Sequence, residues 1–207
     1  MNPRREDSLT GKLHALTVSD PGRFIYVRTA KVATRSISAA LESRPELEVH
    51  VRRGKMQPWP SGKRRDYAAF AFVRNPFTRV VSCWQNKVID KTPWQYSHLQ
   101  DLTLPEFVEA LEGMDLTTAD RHVRTQTALL PLDRLTFLGR LERMSDDWAR
   151  VCELLGLGDL ELPRANVSPT RAEPVHLDEA LAMRIRRLYA LDFAMFGYST
   201  EVPERLR

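Results

Sequence analysis

The sequence predicts an α/β fold: a single domain with a central, mostly parallel sheet flanked by helices. Three observations carry that prediction. Two continuous apolar runs, Phe24–Val27 and Tyr67–Val73, read as strands buried on both faces. Each run passes through a short turn into apolar residues at helical spacing, first Ile37, Ala40 and Leu41, then Phe77, Val80, Val81 and Trp84. Strand-like and helix-like segments alternate along the rest of the chain, with no internal repeat. The 207 residues, 43% of them hydrophobic, suffice for one core and exclude a mostly disordered chain.

The elements follow in order. Residues 1–22 read as a flexible lead-in, with Pro21-Gly22 turning into the first strand. The domain proper is expected over 23–200, and 201–207 as a tail. The first helix should run from Ser36 to about Ser43, before Pro45. Leu47–Val51 alternates like a second strand, and Arg52–Asp66, with its glycines, prolines and basic residues, reads as a loop. After the Tyr67–Val73 strand, Pro76 fits the first turn of a helix. Thr92–Leu102 reads as a substrate-side loop with Trp94, Tyr96 and His98. Thr103, Pro105 and Glu106 mark the start of a helix over Leu104–Leu111. A short helix or turn is expected over Arg121–Leu129 and a fourth strand over Leu135–Leu138. Met144–Leu155 is helical, with Ser145 as cap and Gly156 as stop. Leu162–Pro174 reads as a polar loop, Leu177–Leu191 as a long helix, and Phe193–Tyr198 closes the domain.

Composition narrows the function classes. No apolar run is long enough to span a membrane, and Met1–Asp7 lacks the apolar centre of a signal peptide, so a cytoplasmic protein without membrane insertion is expected. Cys83 and Cys152 are too few and too far apart for a zinc site and read as buried free thiols. A net charge of +4 is small against 27 interspersed acids, so no nucleic-acid partner is expected.

The chemistry concentrates at the two strand–turn–helix units. Lys31, Thr34, Arg35 and Ser36 stand where a helix opens, and free N–H groups with the helix dipole favour an anion there. An ordinary cap by Thr34 or Ser36 is an equal reading of that turn alone. The glycines of a Walker A loop are missing. The second unit ends its strand in Arg74 and carries Ser82 further along its helix. Ligands of open α/β sheets sit outside the carboxyl ends of such strands, and two neighbouring anion sites suit a ligand with two separated phosphate-like groups.

Here the chain resembles the PAPS-dependent sulfotransferases, in particular the Golgi-type carbohydrate sulfotransferases and their bacterial relatives. Lys31-Val32-Ala33-Thr34-Arg35-Ser36 resembles their 5′-phosphosulfate loop, with Ala30, Ala33 and Arg35 standing where proline, glycine and threonine are frequent. Arg74-Asn75-Pro76-Phe77-Thr78-Arg79-Val80-Val81-Ser82 resembles their 3′-phosphate motif. Asp120-Arg121-His122 with Gln126, the strand Phe137–Arg140 followed by Glu142, Asn166-Val167-Ser168, and Tyr189–Tyr198 resemble later family segments.

The resemblance implies a P-loop-kinase-like sulfotransferase fold. It also implies sulfuryl transfer from PAPS to a hydroxyl-bearing acceptor, a glycan or glycoconjugate, with release of PAP and no metal. Lys31 would stabilise the bridging oxygen, the backbone from Val32 and Ala33 through Thr34, Arg35 and Ser36 to Ile37 would cradle the 5′ end, and Arg74 and Ser82 would hold the 3′-phosphate. Asn166, Ser168 and Arg171 would lie near the nucleotide. The general base is His50 or His122, with Glu42 as a third candidate. Arg79 reads evenly as a solvated or ion-paired residue and as a ligand contact. Two other readings compete: a small-molecule kinase of related fold, and a non-catalytic nucleotide- or polyanion-binding protein using the basic loop Arg52–Arg65.

Overall fold

The computed structural model describes residues 13–51, 55–163 and 175–206. Five strands form one sheet: β1 (Leu16–Ser19), β2 (Phe24–Val27), β3 (His50–Val51), β4 (Ala68–Val73) and β5 (Phe137–Arg140), in the order β3-β1-β2-β4-β5. The helices are α1 (Thr34–Glu42), α2 (Pro76–Trp84), α3 (Leu104–Glu112), α4 (Gln126–Leu129), α5 (Met144–Leu155), α6 (Glu179–Leu188) and α7 (Ala190–Phe196). The expected single α/β domain is observed.

The two apolar runs form the centre. β2 pairs in parallel with β4, and β4 with β5, in the registers Val27↔Ala71 and Val73↔Arg140. β1 runs antiparallel to β2, and β3 antiparallel to β1, so β3 again points with β2. Four of the five strands thus share one direction, and the carboxyl ends of β2, β4 and β5 lie along one edge.

Alternation sorts the side chains. Phe24, Tyr26, Phe70 and Phe72 face α1 and α5, where the Tyr26 and Phe70 rings stack at 4.9 Å and Trp148 closes the layer. Ile25, Val27, Ala69, Ala71 and Val73 face the other way, onto Leu130 and Phe196. A third cluster joins α2, α3 and α6. Gly139 is dictated by packing: a Cβ there would stand 2.4 Å from the Phe72 ring on the neighbouring strand.

Several boundaries differ from expectation. The lead-in 1–22 contains β1, a fully buried strand. Its polar residues Thr17 and Ser19 are both buried, and the Ser19 hydroxyl donates to the Leu47 carbonyl. The second strand shrinks to His50–Val51, because Pro45–Leu47 forms a 3-10 turn. Within the loop up to Asp66, Gly62–Asp66 is also a 3-10 turn, while Arg52 and Arg53 lie outside the described residues. The fourth strand slides to Phe137–Arg140. α5 keeps the expected bounds Met144–Leu155 and the Gly156 stop, but its N-cap position is Arg143, two residues ahead of the expected Ser145. The long helix breaks at Tyr189 into α6 and α7, with Asp178 capping α6 through the Leu181 N–H at 2.7 Å. The tail packs back: Val202 and Leu206 are buried, and the Leu206 carbonyl accepts from the Leu177 N–H at 2.8 Å.

Candidate active site

The first helix opens without a side-chain cap. Ala33, the residue before α1, sits at φ +46, and Lys31 at φ +68, both in the left-handed region that non-glycine residues rarely occupy. Each such position costs on the order of 1 kcal/mol, and such strain gathers at functional sites. The sign of φ alternates through residues 31–34, which turns successive backbone N–H groups toward one side as an anion nest. The Thr34 hydroxyl donates back to the Thr29 carbonyl and braces the turn, and Val32 plugs it into the core. The cradle ends at Ser36, because the Ile37 N–H donates to the Ala33 carbonyl at 3.1 Å inside the helix. Ile37 serves the core instead, fully buried beside Leu41. Burial pushes the Lys31 ammonium down to about 8, with Arg74, Lys87 and Arg35 adding to that shift.

The second turn is held from three sides. Asn75 caps α2 by accepting from the Phe77 N–H at 3.0 Å, and Pro76 occupies the first helical position. The Gln126 amide reads both backbone groups of Arg74, accepting from its N–H and donating to its carbonyl, each at 2.9 Å. Glu142 accepts from the Asn75 N–H at 2.8 Å and from the Tyr198 hydroxyl at 2.9 Å. Asp192, fully buried, accepts from the N–H groups of Gln126 and Thr127 and so opens α4. The later sequence segments therefore act on the Arg74 turn. The Arg74 guanidinium itself donates to the Thr78 hydroxyl at 2.9 Å and to the Lys31 carbonyl at 3.2 Å. Burial lowers it to about 10, which leaves it charged at neutral pH. The two turns thus touch.

Among the described residues Arg79 has no ion-pair partner, and it is neither solvated nor a lining residue. It is 1% exposed and donates to the carbonyls of Ala30 at 3.3 Å, Arg124 at 2.8 Å and Arg121 at 3.1 Å. It ties the first anion turn to the segment that carries His122. Sequence reasoning missed this because an arginine on an amphipathic helix reads as a surface residue.

A cleft of about 480 Å³ opens at the carboxyl edge of the parallel strands. Lys31, Thr34, Arg35, Arg74, Ser82 and His122 all line it. Ser36 is buried and His50 stands exposed on β3; neither lines the cleft. Glu42 lies at the far end of α1, roughly 12 Å from its opening at 1.5 Å per residue. Trp94 and Tyr96 pack against the helical core, away from the lining. Asn166, Ser168 and Arg171 lie outside the described residues.

His122 is held in one tautomer. Its Nδ1 lies 2.6 Å from Asp120 Oδ1, which also accepts the His122 backbone N–H at 2.9 Å. Burial works against ionised Asp120, but those two bonds outweigh it and keep the carboxyl below its usual range. An ionised carboxylate only accepts, so Nδ1 carries the proton and Nε2 is left as the base lone pair. Burial lowers His122 from its ordinary value; Asp120 opposes that shift, while Lys87 and Arg121 reinforce it.

Lys87 and Arg121 are lining residues that sequence reasoning did not single out. Lys87 gets there through a π turn, Gln85–Ile89, that extends α2 and closes with the Asp90 N–H on the Gln85 carbonyl at 2.8 Å. A turn that closes after five residues shifts the register of Lys87 from that of an α-helix, and no sequence periodicity announces it. Among the described residues no cluster of His, Cys, Asp or Glu suits a metal ion, and no helix is long and apolar enough to cross a membrane. Cys83 and Cys152 are free and buried.

Compared with known proteins, residues 14–199 match the model of the sulfotransferase family. No curated protein and no solved structure matches the chain.

Proposed function

The chain belongs to the sulfotransferase family, and from that premise we propose that it moves a sulfuryl group from PAPS to a hydroxyl of a carbohydrate or glycoconjugate, releasing PAP. One observation carries the reading: both anion turns and an aspartate-held histidine open into a single cleft. Arg74 and Ser82 hold the 3′-phosphate, the group that separates PAP from ADP. The nest over residues 31–36 and the Lys31 ammonium receive the 5′ end. His122 Nε2 takes the proton of the acceptor hydroxyl as that oxygen bonds to sulfur. Lys31 stabilises the charge left on the bridging oxygen as its bond to sulfur breaks. Among the described residues the lining has no Phe, Tyr or Trp, which suits a hydroxyl-rich acceptor better than an aromatic one.

Calorimetric titration tests the donor site. PAP should bind the wild type, ADP much more weakly, and Arg74→Ala and Ser82→Ala should each weaken PAP by about tenfold or more, the scale of a charge-assisted hydrogen bond. Equal affinity for PAP and ADP would instead favour a kinase-like nucleotide site.

A further inference from the structure

Lys87 and Arg121 have more donors than the protein uses. Lys87 is 7% exposed and gives one hydrogen bond, from Nζ to the Pro93 carbonyl at 2.9 Å. An ammonium has three donors, so two remain for the cleft it lines. The Arg121 guanidinium, also lining, makes no hydrogen bond or ion pair among the described residues; only its backbone carbonyl is engaged, by Arg79. Asp120, the carboxylate beside them, is bonded to His122. Among the described residues the one carboxylate that lines the cleft, Asp90, is exposed at the end of the π turn. A buried cation without an anionic partner is costly.

The donor does not account for these two cations. Its anchors lie on the β2–α1 turn and at Arg74 and Ser82, whereas Arg121 is the chain neighbour of His122. Lys87 sits in the π turn that follows the helix of Ser82, close enough to both His122 and Lys31 to disfavour their protonated forms. The unfilled positive charge therefore flanks the place where the acceptor hydroxyl must meet its base. A guanidinium edge next to an ammonium matches a planar carboxylate, two donors on one side and a point charge on the other.

Building on the sulfotransferase reading, we propose that Lys87 and Arg121 form an anion subsite beside His122, and that the acceptor is a polyol bearing a carboxylate close to the hydroxyl that is sulfated. The pair then sets acceptor specificity, and the fixed Nζ–Pro93 bond means the subsite is formed before the acceptor arrives.

The test uses an oligogalacturonate and its fully methyl-esterified form, which lacks the carboxylate charge and carries a methyl group in its place. Each is titrated calorimetrically into the PAP-loaded protein, and in parallel into the nucleotide-free protein. The acid should bind the wild type about tenfold or more tighter than the ester, the scale of one charge-assisted contact. Lys87→Met and Arg121→Met should abolish that preference, Lys87→Arg should retain much of it, and Lys63→Met, at the opposite end of the sheet, should leave it intact. The proposal is overturned by a wild type that does not distinguish acid from ester, by a preference that survives Lys87→Met, or by a loss of PAP affinity in Lys87→Met as large as in Arg74→Ala, which would place Lys87 in the donor site. Failure of the wild type to bind PAP would instead defeat the sulfotransferase reading, and the nucleotide-free titration would still decide whether the subsite exists.

Discussion

At the scale of single residues, the choice of base turns on one hydrogen bond. His122 and His50 are equal candidates by residue type, but only His122 lines the cleft and has a carboxylate on Nδ1. Replacing it by alanine should lower kcat by about 10²–10⁴, the usual worth of a positioned base, with PAP affinity retained. His50→Ala should leave turnover unchanged, and the reverse pattern in a steady-state assay would transfer the role. The pH profile follows from the same contacts. Because burial lowers His122 below its ordinary value, its base form persists as pH falls, and the acid limb of kcat/KM should lie below about 6.5. Asp120 is what holds that value up, so Asp120→Asn should move the limb further down while reducing kcat through loss of the fixed tautomer. A limb that moves up in Asp120→Asn would contradict this electrostatic account.

At the scale of elements, what the sequence shows depends on whether a segment's role is local. Phe24–Val27 and Ala68–Val73 were legible as strands because burial on both faces leaves a continuous apolar run. The starts of α2 and α3 were legible because Pro76 and the Thr103–Glu106 capping box act within one turn. β1 was hidden because Thr17 and Ser19 are buried polar residues whose packing is settled by distant chain. The π turn was hidden because its extra residue leaves no mark in the spacing. The cross-links between turns were legible only as residue types: Gln126, Glu142, Asp192 and Tyr198 stood out, but their convergence on the Arg74 turn is tertiary. Arg79 shows how much such a link is worth. Arg79→Met would leave the Ala30, Arg121 and Arg124 carbonyls without their donor, at about 1 kcal/mol or more each. Stability in urea should fall by about 3 kcal/mol or more on that basis. An unchanged midpoint would show that the three carbonyls find other partners.

At the scale of the whole molecule, the sheet gives the cleft its direction. The strands that share one sense bring the β2 and β4 exits side by side, and Arg74 can then reach the Lys31 carbonyl. The C-terminal segment is part of that body. Val202 and Leu206 belong to the cluster that joins α2, α3 and α6, and Arg205 lies near enough to Arg74 to disfavour its charge. Removal of residues 201–207 therefore exposes two core positions and breaks the Leu177–Leu206 backbone bond. At about 1.5–3 kcal/mol for each buried aliphatic side chain, the truncated chain should lose about 3 kcal/mol or more of unfolding free energy. It should also show a lower Tm, because α6 loses packing on its core face. The effect on PAP should be small and of the same sign, since Arg74 is charged with or without Arg205 and one positive charge near the 3′-phosphate is gone. Thermal unfolding of the truncated and full-length chains, each with and without PAP, separates the two contributions. Equal melting temperatures without PAP would mean that the segment only rests on the surface, and the packing of Val202 and Leu206 would then count for nothing in the core.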